Sequence, residues 1–140
     1  MPAHLSFEYY NFFSNTNFLL WSYKFSFFTN YQYDVTPALV IGEYMGNPGT
    51  NANNSFFSTG YMNAGIAGMV IYSLIFSSIL IILNKLYYSG VPIWVIIGIT
   101  INPLHSIIKS ADLLTGIVTH GLGITILILY LLSPYFYKRI

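Results

Sequence analysis

Ionisable side chains are scarce in this chain, so those in apolar surroundings are the first candidates for chemistry. His120 stands in a stretch otherwise free of charge, among Gly116, Thr119 and Gly121. An ionisable residue within a membrane is costly and is a functional candidate by default. The competing reading is a histidine bonded to a carbonyl or hydroxyl inside a helix bundle. His105, Lys109 and Asp112 follow one another closely and form a small polar cluster. It could supply an acid, a base or a cation, or only a boundary salt bridge. Asn63 lies where a polar loop enters a long apolar segment, where its amide and nearby backbone amides can approach a ligand.

Other chemistries are absent. The carboxylates Glu8, Asp34, Glu43 and Asp112 show no close pairing, and three scattered histidines make no zinc motif. There is no cysteine, hence no disulfide or thiolate metal site. The glycine-rich loop before residue 61 lacks the Gly-Lys-Ser/Thr of a phosphate cradle, and no Gly-x-Ser-x-Gly elbow occurs. No metal or other cofactor is expected. A net charge of +1 leaves no basic face for nucleic acid.

The elements that must position these residues are membrane elements. Of 140 residues, 55% are hydrophobic and 6% charged, against about 25% charged in a soluble domain. No charge occurs between Glu43 and Lys85. The pattern predicts an all-α integral membrane fold with three transmembrane helices at about 62–83, 91–108 and 113–132. Pro92 suits the first turn of the second, Asn102-Pro103 should kink it, and Ser110 and Asp112 are placed to start the third.

Residues 1–61 form the other region, an aromatic segment followed by an Asn/Gly-rich loop. Residues 1–44 hold 14 of the 26 aromatic residues. They predict one or two short helices on the bilayer surface or capping the bundle, or packing against further helices. From Asp34 to Tyr61 the signals are for turns, with Ala38 to Ile41 a short apolar piece. Gly60, Ala64 and Gly68 recur every four residues and predict a face for close helix packing. Lys85 and the basic tail Lys138-Arg139 fall on one side, which the positive-inside rule makes cytoplasmic. The aromatic segment is then extracytoplasmic.

Asn51-Ala-Asn-Asn-Ser-Phe-Phe, Gly60-Tyr61 and Asn63-Ala-Gly-Ile-Ala-Gly, followed by a long apolar helix, resemble the Wzy-type oligosaccharide repeat-unit polymerases. The stretches Tyr9-Tyr-Asn-Phe-Phe and Leu113-Leu-Thr…Thr119-His-Gly-Leu-Gly are similar to the segments around that motif. The resemblance covers the C-terminal portion of a family member. His105 and Gly116 also match the His-x10-Gly spacing of the related O-antigen ligases.

The resemblance implies a multi-span protein of the bacterial inner membrane, in which an acceptor hydroxyl attacks the anomeric carbon of an undecaprenyl-diphosphate-linked oligosaccharide. Asn53, Asn54, Tyr61 and Asn63 would contact sugar or diphosphate. His105, Lys109, Asp112 and His120 are the weak catalytic candidates, and other polysaccharide-export membrane proteins are the expected partners. The one arginine, Arg139, stands in the predicted cytoplasmic tail, whereas the family's functional arginines are extracytoplasmic. A truncated polymerase lacking part of its site is therefore expected. The alternatives are a small non-catalytic membrane subunit packing through Gly60/Ala64/Gly68, or a transporter fragment with its substrate path at Asn102-Pro103.

Overall fold

The computed structural model describes residues 2–137, which form six helices and no strand. These are α1 (Pro2–Ser14), α2 (Pro37–Tyr44), α3 (Phe56–Tyr88), α4 (Ile93–Lys109), α5 (Leu113–Val118) and α6 (Leu122–Tyr137). α3 is long and strongly apolar, and α4 and Leu122–Pro134 of α6 are shorter apolar helices. The expected basic anchor, Lys138-Arg139, lies outside the described residues.

Two side-chain cores hold the chain together. The larger joins α3, α4, α5 and α6 through Tyr72, Ile79, Leu83, Ile96, Ile107, Leu113, Leu122 and Leu129. The smaller gathers Tyr9, Phe13, Leu19, Ile41, Ala52 and Met62 from α1, α2 and the segments around them. Most of the large buried side chains lie in these seams. The outward faces of the bundle carry Ile66, Leu74, Trp94, Val118 and Leu131, all more than half exposed.

The expected first helix, at about 62–83, starts earlier and is not straight. α3 begins at Phe56 and breaks at Ala64 (φ −152°, ψ 31°) and Gly65 (φ 60°, ψ −142°). Residues 56–63 fold back against the 66–88 arm, so that Gly60 meets Gly68. A methyl group on Gly60 would stand 2.9 Å from the Gly68 carbonyl oxygen, and one on Gly68 would overlap the Gly60 carbonyl. The small-residue spacing thus serves a contact between two halves of one element, where a continuous stripe for another helix was expected. The arm from 66 to 88 is about 34 Å long at ~1.5 Å per residue.

The expected third helix, 113–132, is two helices. Gly121 takes φ +77°, a conformation open to glycine, and separates α5 from α6. Asp112, and not Ser110, is the N-cap of α5; its carboxylate accepts from the Thr115 backbone N–H at 3.3 Å. α4 continues through Pro103 to Lys109, with Asn102 exposed. The short apolar piece at 38–41 lies inside a two-turn helix started by Pro37. The aromatic segment supplies only α1 as a helix before residue 37, and 15–36 runs as turns and irregular chain.

Candidate functional site

The break in α3 creates polar groups that must be satisfied, because its first half ends with free carbonyls. The N-terminal segment supplies the donors. Leu19 N–H bonds Met62 O at 3.0 Å, and Leu20 N–H bonds Asn63 O at 2.9 Å. Trp21 N–H donates to the Asn63 side-chain oxygen at 3.0 Å. Three consecutive amides therefore cap one broken helix, and the geometry holds Leu20 and Trp21 at φ 47° and 59°. Asn63, only 3% exposed, completes the joint by donating to Thr59 O at 2.8 Å.

From this joint a chain of polar side chains runs toward α5. Trp21 Nε1 donates to the Tyr72 hydroxyl at 3.0 Å, and Asn63 Nδ2 approaches the same oxygen at 3.4 Å. Tyr72 donates to Asp112 Oδ1 at 3.0 Å. The other oxygen of Asp112 faces the Lys24 ammonium at 3.3 Å, and Lys24 also donates to Thr115 Oγ1 at 2.7 Å. The Asp112 carboxylate is 11% exposed and the Lys24 side chain 27%. A carboxylate so placed needs these donors, since burying an unpaired charge is expensive.

Beside this network lies a cavity of about 350 Å³. α1 contributes Tyr9, the turn segment Tyr23 and Lys24, and the loop before α3 Asn51, Asn53 and Asn54. Ser110, Asp112, Thr115 and His120 complete the far wall. The floor is partly apolar, with Pro37, Ala38 and Met62. The Tyr9 hydroxyl donates to Ala52 O at 3.0 Å. Burial, and then the negative charge of Asp112, raise its ionisation well above the ordinary tyrosine value, so it stays a neutral donor. The Thr36 hydroxyl oxygen on the same wall is buried and has no hydrogen-bond partner among the described residues.

The structure brings some of the sequence candidates together and separates others. Asp112 and His120 both line the cavity, His120 from the exposed link between α5 and α6. His105 and Lys109 are exposed on α4 and do not line it. The cation facing Asp112 is thus Lys24, where Lys109 was the nearer choice in sequence.

Asn53 lines the cavity with its side chain exposed. Asn54 also lines it but is 2% exposed, donating to Ser6 Oγ at 3.2 Å and accepting from Ser55 N–H at 2.8 Å. Tyr61 lies off the cavity, its ring 5.1 Å from that of Tyr10 and 5.7 Å from that of Phe18. Asn63 lies behind the wall, in the joint. The sequence reading did not single out Lys24, Trp21, Tyr72 or Thr115. Lys24 carried a usable signal as the one charge between Glu8 and Asp34.

Compared with models of protein families, with curated proteins and with solved structures, the chain matches none of them. Function therefore has to be argued from the cavity itself. Amide and hydroxyl groups, tyrosine rings, the Lys24 ammonium and the His120 ring line one cavity and make a surface for a polar, hydroxyl-bearing ligand.

Proposed function

We propose that the chain is a portion of a membrane glycan polymerase of the Wzy type, holding undecaprenyl-diphosphate-linked oligosaccharide at the outer face of the bacterial inner membrane. The observation that carries this reading is a cavity lined by asparagines, tyrosines and a lysine–aspartate pair at one end of a bundle with apolar flanks. Asn51 and Asn53 offer donors and acceptors that suit sugar hydroxyls. The tyrosine rings suit the apolar faces of a sugar. A volume of about 350 Å³ lies at the lower end of ligand cavities, roughly 300–1,000 Å³, and suits part of a repeat unit.

Bilayer insertion rests on the flanks. Ile66 is 75% exposed, Trp94 74% and Leu131 61%; in water so continuous an apolar surface would drive association. The 66–88 arm matches a hydrocarbon core of about 30 Å. Lys85 sits in the last turn of α3, remote along that arm from the break beside the cavity. With Lys85 cytoplasmic, the cavity faces outward.

In the reaction, an acceptor hydroxyl oxygen bonds the anomeric carbon, the bond to the lipid diphosphate breaks with its electron pair left on the diphosphate oxygen, and the hydroxyl proton passes to solvent. Lys24 and His120 are the wall's cationic or protonatable groups and meet the charge that gathers on the departing diphosphate. Asp112 is held by Tyr72, Lys24 and Thr115, so it positions Lys24.

Reconstituted protein in nanodiscs, exposed to undecaprenyl-diphosphate-linked oligosaccharide and to undecaprenyl phosphate, tests the reading by native mass spectrometry. Preferential retention of the sugar-bearing lipid, weakened by Asn53→Ala, is expected. Equal retention of both lipids would remove the sugar site. Expression in a polymerase-null strain reads activity directly, as a ladder of polysaccharide lengths.

A further inference from the structure

Among the large apolar side chains described, Phe27 and Phe28 are the most exposed, at 91% and 82%. They sit in a turn that is ordered by its own hydrogen bonds. Lys24 and Phe25 N–H groups donate to Trp21 O at 2.9 and 3.2 Å, and Phe28 N–H donates to Phe25 O at 2.8 Å. The Thr29 hydroxyl is bonded to Phe25 O at 2.9 Å and to Ser22 O at 3.2 Å. The two rings meet edge to face at 5.1 Å. A firm loop therefore carries Phe25, Phe27 and Phe28 outward.

Two bonds fix this loop to the bundle. Trp21 holds it to Tyr72 of α3, and Lys24 holds it to Thr115 of α5. On α5, exposed Val118 stands one turn on from Thr115. The loop thus docks on helices whose outward faces are apolar. Lys24 is the one charged residue between Glu8 and Asp34, and its ammonium is turned toward Asp112. The tip offers rings without a free charge, which fits the boundary between headgroups and acyl chains.

We propose that Phe25, Phe27 and Phe28 form a bilayer-inserted finger that seats the mouth of the cavity at headgroup level. Because Lys24 adjoins Phe25, the cavity then opens beside the bilayer surface, where the polar head of a lipid-linked ligand resides. The proposal rests on the membrane reading above and adds the position of one loop.

The absence of cysteine permits clean spin labelling of the full chain in nanodiscs. Nitroxides are placed by Phe27→Cys, Phe28→Cys, Leu127→Cys on the flank of α6, and Asn47→Cys in the exposed loop after α2. Collision with oxygen, which concentrates in lipid, is compared with collision with a water-soluble nickel chelate. Oxygen should dominate at 27, 28 and 127, and nickel at 47. Nickel dominance at 27 and 28 with oxygen dominance at 127 would overturn the finger alone. Shielding of 27 and 28 from both reagents would mean a protein partner and would equally overturn it. Nickel dominance at 127 would bring down the membrane reading itself.

Discussion

The two arms of α3 share one helix designation and obey different rules. The 56–63 arm is short, lies against α1, and ends in carbonyls capped by Leu19 and Leu20. The 66–88 arm is apolar, with several of its outward side chains exposed and a single buried seam. The first is held by specific hydrogen bonds and a glycine-to-glycine contact; the second is held by the packing of its seam against α4, α5 and α6. A change of one atom group should therefore be felt at the joint and tolerated along the arm.

The sharpest way to break this contrast is Gly68→Ala. The added methyl meets the Gly60 carbonyl, and neither backbone can move without opening the joint. A loss of about 3 kcal/mol is expected, read as a fall in unfolding temperature by circular dichroism in detergent. An unchanged midpoint would mean that the two arms do not touch. Next comes Asn63→Ala, which strands the Trp21 N–H in a partly buried setting and removes a buried donor to Thr59 O. About 2 kcal/mol should be lost, and hydrogen exchange at residues 19–21 should rise sharply, leaving 75–85 protected.

Gly98→Ala on exposed α4 meets open space and should stabilise by about 0.5–1 kcal/mol. Destabilisation there would show that the flank is packed against protein. Lys24→Met should cost about 1–3 kcal/mol, because the Asp112 carboxylate is only 11% exposed and loses its cation. The same variant should also weaken retention of diphosphate-linked sugar in the nanodisc measurement.

Tyr9 adds an effect that depends on pH. Its folded-state ionisation lies above the unfolded value of 10.0. Its contribution is accordingly complete below pH 10.0 and is lost as pH rises beyond it. Tyr9→Phe should flatten an alkaline unfolding titration and cost about 1 kcal/mol at neutral pH, because the buried Ala52 carbonyl loses its donor.

The sequence made the arms of the bundle legible because uncharged length is a one-dimensional property. The helix expected at about 62–83 falls largely on the 66–88 arm, and the starts of α4 and α5 follow from runs of Ile, Leu and Val between Lys85, Pro92 and Asp112. The joint at Ala64–Gly65 was hidden, since a glycine inside an apolar run reads equally as a packing face. Its identity depends on amides from Leu19 to Trp21, which carry no side-chain signature.

The cavity was half visible for the same reason. Asn53, Asp112 and His120 stand out by residue type. Tyr72 looks like any aromatic in an apolar helix until Asp112 is found opposite its hydroxyl. Lys24 was passed over because its partner lies far along the chain, whereas Lys109 stood three residues from Asp112 and drew the pairing.

The bond from Lys24 to Thr115 joins residues 91 positions apart. During synthesis the turn that carries Lys24 leaves the ribosome long before α5 exists, so its anchor is missing while most of the chain is made. Until Asp112 and Thr115 arrive, Lys24 has no ion-pair partner, whereas Asn63 and Tyr72 are already present to receive Trp21.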